Sequence, residues 1–167
     1  MILENKLNIT DPVELAREEE RISKQKAKEM FEIGFLDKIE AGKFESLKQI
    51  HEYLFSDIYD FAGTIRKVNI AKGNFRFIPL AYLEEAIKNI EKMPQSTYEE
   101  IIEKYVEMNI AHPFRDGNGR STIKDIEIKK LLKKALTGEI YNREVYMKGI
   151  DNSYSYEGYI SFKTEEL

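Results

Sequence analysis

The sequence predicts a mainly α-helical domain that carries one β-hairpin. Three observations lead to this fold class. Apolar residues recur at steps of three and four along most of the chain, which is the spacing of one helical face. Only residues 64–79 alternate apolar and polar side chains around a glycine, as a hairpin does. The 167 residues, 42% apolar and 34% charged, are enough for a single domain with a hydrophobic core.

The first two predicted helices lie before residue 64. Thr10 or Asp11 can cap the first helix, and Pro12 suits its first turn. The strongly charged body of this helix predicts a face exposed to solvent. In the second helix, Gly63 is the expected stop. Its apolar face is formed by Leu47, Ile50, Leu54, Ile58 and Phe61.

The hairpin is predicted from a change of period. Val68 and Ile70 alternate with polar residues before the turn, and Phe75 and Phe77 do so after it. Gly73 lies in the turn between them, and Pro79 ends the second strand. An isolated hairpin is only marginally stable in water, so it must pack on the helices.

The remaining elements are predicted to be helical. Residues 80–93 form one helix, which ends at Pro94 and has Leu80, Leu83, Ile87 and Ile90 on its apolar face. Ser96 and Glu99 fit a capping box at the start of the next helix, whose broad apolar face makes it the central one. Residues 125–136 and 142–162 are also typical of helices.

Composition excludes several classes of site. The chain has no cysteine and only two histidines, so disulfides, thiolate chemistry and multi-histidine metal sites are excluded. Any metal would be a hard ion held by oxygen, such as Mg²⁺. The net charge of -4 argues against direct nucleic-acid binding. We see neither a signal peptide nor a membrane span, so we expect a cytoplasmic protein, with export that needs no signal peptide as the alternative.

The residues with the clearest chemical character lie at 111–120, AHPFRDGNGR. Pro113 ends the central helix, which leaves His112 at its end as a group able to accept a proton near neutral pH. Residues 117–119 allow the backbone amides to turn inward as an anion-binding nest. Asp116 is a hard oxygen ligand for Mg²⁺, and Arg120 offers bidentate geometry for phosphate. These parts suit a magnesium nucleotide, although a helix–loop–helix turn without function fits the pattern equally well.

The stretch HPFRDGNGR, residues 112–120, resembles the signature of Fic-domain proteins, the Fic/Doc family. The hairpin and its approach also resemble that family, so the similarity extends from about Lys43 onward. The resemblance implies a Fic fold: a helical bundle around a central helix–loop–helix, with the hairpin as a flap. It implies one domain over residues 1–167 and a protein adenylyltransferase that moves AMP from ATP to a Ser, Thr or Tyr hydroxyl of a target protein.

The resemblance also implies roles for individual residues. His112 would deprotonate the target hydroxyl, and Asp116 would hold Mg²⁺. The backbone of Gly117, Asn118 and Gly119 would hold the phosphates, with the Asn118 side chain assisting, and Arg120 would bind the leaving phosphates. Lys72 at the flap tip, Asn109 and Ser121 are further ATP-binding candidates; for these three a solvated turn or a helix cap is an equal alternative. His51 lacks such neighbours and is predicted to be structural.

The sequence departs from the family signature after Arg120. The family has a second arginine three positions later, where this chain has Ile123. We favour the interpretation that a stretch of the natural protein between residues 122 and 123 is absent from this sequence. A true deletion would remove a central helix and uncover a large apolar face. If the deletion is real, a phosphate-binding arginine is missing and activity is in doubt.

A second motif lies near the end of the chain. Ser153, Glu157 and Gly158 match the family's inhibitory pattern Ser/Thr-x-x-x-Glu-Gly/Asn, on a helix expected at about residues 151–162. The resemblance implies that Glu157 competes with phosphate for an arginine and so inhibits the enzyme.

The resemblance leaves alternatives open. Related proteins transfer phosphate, UMP or phosphocholine. A further hypothesis is that the chain is a non-catalytic regulator that binds a nucleotide. A target protein would dock on the flap edge. We expect no membrane partner, and a homo-oligomer that buries the inhibitory helix is compatible with the sequence.

Overall fold

The computed structural model describes residues 2–123, with side chains over residues 2–121. The predicted mainly α fold with one hairpin is confirmed. The helices are α1 (Pro12–Glu32), α2 (Phe44–Phe55), α3 (Leu80–Lys92), α4 (Tyr98–Ala111) and α5 (Asn118–Ile123), with a short 3-10 helix at Phe35–Lys38; the strands are β1 (Ala71–Lys72) and β2 (Phe75–Arg76). The predicted helices at 125–136 and 142–162, including the inhibitory motif, lie outside the described residues.

Helix α1 begins where the sequence predicts. Asp11 is the N-cap, and its carboxylate accepts hydrogen bonds from the amides of Val13 and Glu14. The prediction of a solvated charged body holds for most of the helix but fails for one stripe. The buried stripe of α1 consists of Leu15, Glu19, Ser23, Ala27 and Met30, spaced by four, four, four and three residues. A carboxylate therefore faces the core of the domain.

Helix α2 ends earlier than the apolar spacing predicts. It stops at Phe55, and the amides of Ile58 and Tyr59 both bond to the Phe55 carbonyl at 2.9 Å. Ile58 and Tyr59 lie in the turns that follow the helix, and both side chains are buried. These two residues therefore belong to the hydrophobic core although they are not helical. A spacing of three and four between apolar residues indicates that they are buried on one side of the chain. Successive turns can bury such residues as a helix does, so the spacing does not by itself fix the end of the helix.

The hairpin is shorter than predicted. Ala71 pairs with Arg76 and Lys72 pairs with Phe75, around a turn in which Gly73 has φ of 57°. The pairing of the two strands ends at the base of the flap, because the buried guanidinium of Arg66 donates hydrogen bonds to the carbonyls of Val68 and Ile78 there.

Helices α3 and α4 form the second half of the core. Helix α3 buries Leu83, Ile87 and Ile90, as predicted, and ends at Lys92 before Pro94. The capping box of α4 is formed by Thr97 and Glu100, one residue later than predicted. Both spacings fit the pattern, and the later start is the one whose reciprocal hydrogen bonds form.

Two buried clusters meet at the loop after α4. One joins α1, α2 and the turns around Ile58, and the other joins α2, α3, α4 and Phe114.

In residues 2–123, no helix combines the length and apolar character needed to cross a bilayer. Helix α5 is continuous across the junction of Thr122 and Ile123. The prediction of a missing segment concerns the natural protein and stays a prediction.

Candidate functional site

His112 terminates helix α4 in the left-handed backbone region, with φ of 48° and ψ of 61°. Its Nδ1 lies 2.9 Å from the carbonyl oxygen of Asn109. A carbonyl only accepts, so Nδ1 carries the proton and Nε2 is the unprotonated nitrogen of the neutral ring. The ring stacks on Phe77 of the flap, with centroids 3.7 Å apart. Burial lowers the pKa of His112, which keeps the imidazole neutral and able to accept a proton at neutral pH.

Arg66 locks the flap onto the end of helix α4. Its Nε donates to the His112 carbonyl at 2.8 Å, and Nη2 donates to the Ala111 carbonyl at 3.2 Å. Its own amide donates to the Pro113 carbonyl at 2.8 Å. Because the same guanidinium also bonds the two flap carbonyls, the flap and the histidine share one anchor.

The loop after His112 is closed by its own side chains. The Phe114 ring is fully buried and stacks on the His51 ring at 3.9 Å. Asn118 accepts from the Phe114 amide at 2.7 Å and donates to the Phe114 carbonyl at 2.9 Å. In this structure the Asn118 side chain holds the loop together. The predicted contact of this side chain with a phosphate stays a prediction.

Gly117 occupies a position that no other residue fits. Its φ is 72°, and a Cβ added there would lie 2.5 Å from the Phe55 ring. Its amide donates to the Asp116 carboxylate at 2.6 Å. The amides of Asn118, Gly119 and Arg120 come before the first bonds of α5, so the helix gives them no intrahelical acceptor. A Cβ at Gly119 would meet no described atom within 4 Å, so the backbone there can be approached closely.

His51 is structural, as predicted, and it supports the loop directly. The Gly63 amide donates to Nδ1 at 2.8 Å, so Nε2 carries the proton and donates to the Asp116 carbonyl at 2.9 Å. Burial lowers the pKa of His51 to about 4, which keeps the ring neutral. The fully buried imidazole thereby joins α2, the turn at Gly63 and the loop.

Asp116 presents a half-exposed carboxylate beside Arg120. Its side chain is 49% exposed, and its Oδ1 lies 3.7 Å from Nη2 of Arg120. No group of three or more metal-ligating side chains occurs within residues 2–123. One carboxylate nevertheless fits Mg²⁺, because this ion keeps several waters and shares phosphate oxygens when it binds with a nucleotide.

Arg120 is held by residues far away in sequence. Its Nη2 donates to the carboxylate of Glu19 in helix α1. Its guanidinium lies over the Phe55 ring, 4.8 Å from the centroid. The predicted phosphate-binding arginine thus has a fixed place, and its side chain is still 39% exposed.

The other predicted ATP-binding residues differ in placement. Lys72 lies on the flap strand β1, and its charge contributes to lowering the pKa of His112 after the larger effect of burial. Asn109 lies inside α4, where Nδ2 donates to the Tyr105 carbonyl, and in the described part of the chain its buried Oδ1 has no hydrogen-bond partner. Ser121 is fully buried and donates to the Gly117 carbonyl at 3.0 Å. Contact with nucleotide stays a prediction for all three.

Two supporting residues escaped the sequence reasoning. Arg66 gave no signal, because an arginine before a predicted strand is usually solvated. Glu19 did leave one, since it stands four residues from both Leu15 and Ser23 on the buried stripe of α1.

Comparison with known proteins shows what the chain is similar to. Residues 42–123 match the Fic/DOC family. The chain is 28% identical to the probable protein adenylyltransferase y4lH of Sinorhizobium fredii over 134 residues, which cover 73% of this chain and 67% of that protein. It is 31% identical to the protein adenylyltransferase VbhT of Bartonella schoenbuchensis over 133 residues, which cover 72% of this chain but only 27% of VbhT.

A solved structure supports the fold. The BepC protein of Bartonella tribocorum, a VirB-translocated effector crystallised with AMPPNP, aligns with a TM-score of 0.61 at 21% identity. The alignment covers 81% of this chain and 74% of BepC. The matched region, residues 42–123, contains both the flap and the loop from His112 to Arg120, and this part of the chain is a domain of the Fic/DOC family.

Proposed function

We propose that this chain is a protein adenylyltransferase, which transfers AMP from ATP to a Ser, Thr or Tyr hydroxyl of a target protein. The observation that best supports the proposal is the protonation state and tautomer of the His112 imidazole. The ring is neutral, Nδ1 is committed to the Asn109 carbonyl, and Nε2 is therefore the basic nitrogen. The relatives named protein adenylyltransferases support this class of reaction.

In the proposed reaction, Nε2 of His112 accepts the proton of the target hydroxyl. The hydroxyl oxygen forms a bond to the α-phosphorus of ATP, and the bond from that phosphorus to the bridging oxygen breaks. Pyrophosphate leaves with that electron pair. The amides of residues 118–120 and the Arg120 guanidinium would stabilise the charge of the phosphates, with Lys72 reaching from the flap. Asn109 and Ser121, which flank the loop, would also contact the nucleotide.

Asp116 would hold Mg²⁺ against the phosphates of ATP. The bound ion would offset phosphate charge during transfer. The chain's own contribution is to orient Asp116, through the bond from His51 to its backbone carbonyl and the bond from the Gly117 amide to its carboxylate.

The target would pair with the edge of the flap as an added strand. The flap is rigidly joined to the end of α4 through Arg66, so a strand docked there would stand in a fixed relation to His112. Transfer of phosphate, UMP or phosphocholine by the same site is the alternative, since the loop chemistry is common to all of them.

The C-terminal motif would inhibit the enzyme. Glu157, with Ser153 and Gly158 around it, would compete with phosphate for an arginine. In the natural protein this partner would be the arginine expected in the segment that we propose to lie between residues 122 and 123.

The test uses ATP labelled at the α-phosphate, ATP labelled at the γ-phosphate, and a cytoplasmic extract as the source of targets. In the natural protein, which would carry the segment between residues 122 and 123 and its arginine, we expect Glu157→Gly to raise incorporation of the α-label only. Adding His112→Ala should lower that rate about 100-fold or more, because general base catalysis contributes that much. Glu165→Gly, the same change outside the motif, is the control and should leave the rate at the wild-type level.

Each contrary result refutes a stated part of the proposal. Incorporation of the γ-label would indicate phosphate transfer. Equal rates for wild type and Glu157→Gly would refute inhibition by the motif. A rate independent of His112 would refute its role as the base.

A further inference from the structure

Glu19 is a carboxylate in the buried stripe of helix α1. Only 7% of the residue is exposed, and it lies between Leu15 and Ser23 on the face that packs against the rest of the domain. Acidic side chains are rarely this buried unless they are paired. The neighbouring acid Glu18 is less buried, with 28% of its side chain exposed, and it pairs with Arg21 on the same helix.

Both carboxylate oxygens of Glu19 are engaged. Oε1 accepts from Nη2 of Arg120, and Oε2 accepts from the hydroxyl of Tyr59. Tyr59 is itself buried, and burial together with the bond to Glu19 raises the pKa of its phenol, which keeps the hydroxyl protonated as a donor. Three residues from separate parts of the chain thus form one hydrogen-bonded unit.

The remaining sides of Arg120 are also defined. The Phe55 ring lies under the guanidinium, and the Ser23 hydroxyl lies 3.5 Å from Nη1. Asp116, the candidate magnesium ligand, lies 3.7 Å from Nη2. A guanidinium has five N–H donors, so the bond to Glu19 leaves others to meet a phosphate. The orientation of Arg120 is therefore set from the α1 side.

We propose that Glu19 is a positioning residue, which together with Tyr59 holds the Arg120 guanidinium in place for the outer phosphates of ATP. The inference rests on the proposed function, because it assumes that Arg120 meets those phosphates. It adds a contribution from helix α1, which lies outside residues 42–123 and outside the signature loop.

The contacts favour positioning over competition with the phosphate. A competing carboxylate must be able to leave the arginine when nucleotide binds. Glu19 is fixed on the rigid helix α1 and bonded to Tyr59, and if it lost Arg120 it would remain a buried charge with one neutral donor. The ion pair between Glu19 and Arg120 is consequently more stable when it is formed than when it is broken, with or without bound nucleotide.

The test measures the affinity of the full chain for ATP and for AMP in the presence of Mg²⁺ by isothermal titration calorimetry. AMP lacks the outer phosphates, so the ratio of the two affinities measures the contribution of the groups that meet those phosphates, Arg120 among them. We expect Glu19→Gln to weaken ATP binding about tenfold while AMP binding changes less than about twofold. Glu18→Gln, the adjacent and only partly buried acid on α1, is the matched control and should change neither affinity.

Two results would overturn the proposal. A Glu19→Gln chain that keeps the wild-type ratio would make Glu19 a merely structural residue. A variant that binds ATP more tightly would show that Glu19 competes with phosphate. If Glu19→Gln does not fold by circular dichroism, Tyr59→Phe provides the same test, because it keeps the ring and removes the donor to Glu19. An unchanged ratio in Tyr59→Phe would then contradict the proposal.

A separate variant distinguishes this proposal from the proposed function. Arg120→Ala should reduce the preference for ATP over AMP. If the wild type shows no preference that depends on Arg120, the assigned role of Arg120 fails, and with it the proposed function as stated. If the preference depends on Arg120 and is unaffected by Glu19→Gln, only the role of Glu19 fails.

Discussion

Replacing His51 by phenylalanine tests whether the signature loop depends on a buried imidazole in helix α2. Phenylalanine keeps a ring stacked on Phe114 and removes both ring nitrogens. The Gly63 amide then loses its acceptor, and the Asp116 carbonyl loses its donor. The substitution separates packing, which is retained, from hydrogen bonding, which is lost.

The expected cost follows from the burial of the two orphaned groups. Gly63 is buried, so its unpaired amide costs about 2 kcal/mol. Asp116 lies at an exposed position, so its carbonyl can reach water and costs about 1 kcal/mol. The free energy of unfolding should therefore fall by about 3 kcal/mol in His51→Phe.

Urea unfolding followed by far-ultraviolet circular dichroism measures this change, since the chain has no tryptophan to report by fluorescence. Gln49→Ala, an exposed position on the same helix, is the control and should stay within about 0.5 kcal/mol of wild type. A loss below about 1 kcal/mol in His51→Phe, with an unchanged m value, would refute the reasoning, because packing alone would then account for the residue.

Two further predictions follow from the same network. The folded-state pKa of His51, lowered to about 4, lies below its unfolded value, so its contribution to stability is full above about pH 6.5 and is lost as the pH falls toward 4. From pH 7 to 5 the wild type should lose about 2 kcal/mol more than His51→Phe, measured by urea unfolding; parallel losses would contradict this. Arg66→Lys should cost about 2–4 kcal/mol, because one ammonium cannot bond the carbonyls of Val68, Ile78, Ala111 and His112 together. Amide hydrogen exchange in residues 70–77 should accelerate, and unchanged exchange would exclude Arg66 as the anchor of the flap.

Much of the fold could be predicted because its signals are local. Asp11 and Pro12 define the start of α1, and the glycine turn at Gly73 defines the hairpin, through backbone preferences that need no distant partner. The errors occurred where distant contacts decide the outcome. Helix α2 ends at Phe55 because Ile58 and Tyr59 reach the core from turns, and the hairpin is short because Arg66 occupies its base.

The candidate site shows the same division. The order of the chemical groups from His112 to Arg120 is written in the sequence, and the signature that they form indicates the Fic/DOC family. It could not show that His51, Arg66 and Glu19 support this loop, because they lie 65, 46 and 101 residues from their respective partners Asp116, His112 and Arg120. The tautomer of His112 and the orientation of Arg120 follow from the folded arrangement of the chain. Both depend on acceptors and burial that arise when separate segments pack together, and packing of that kind leaves no periodic trace in the chain.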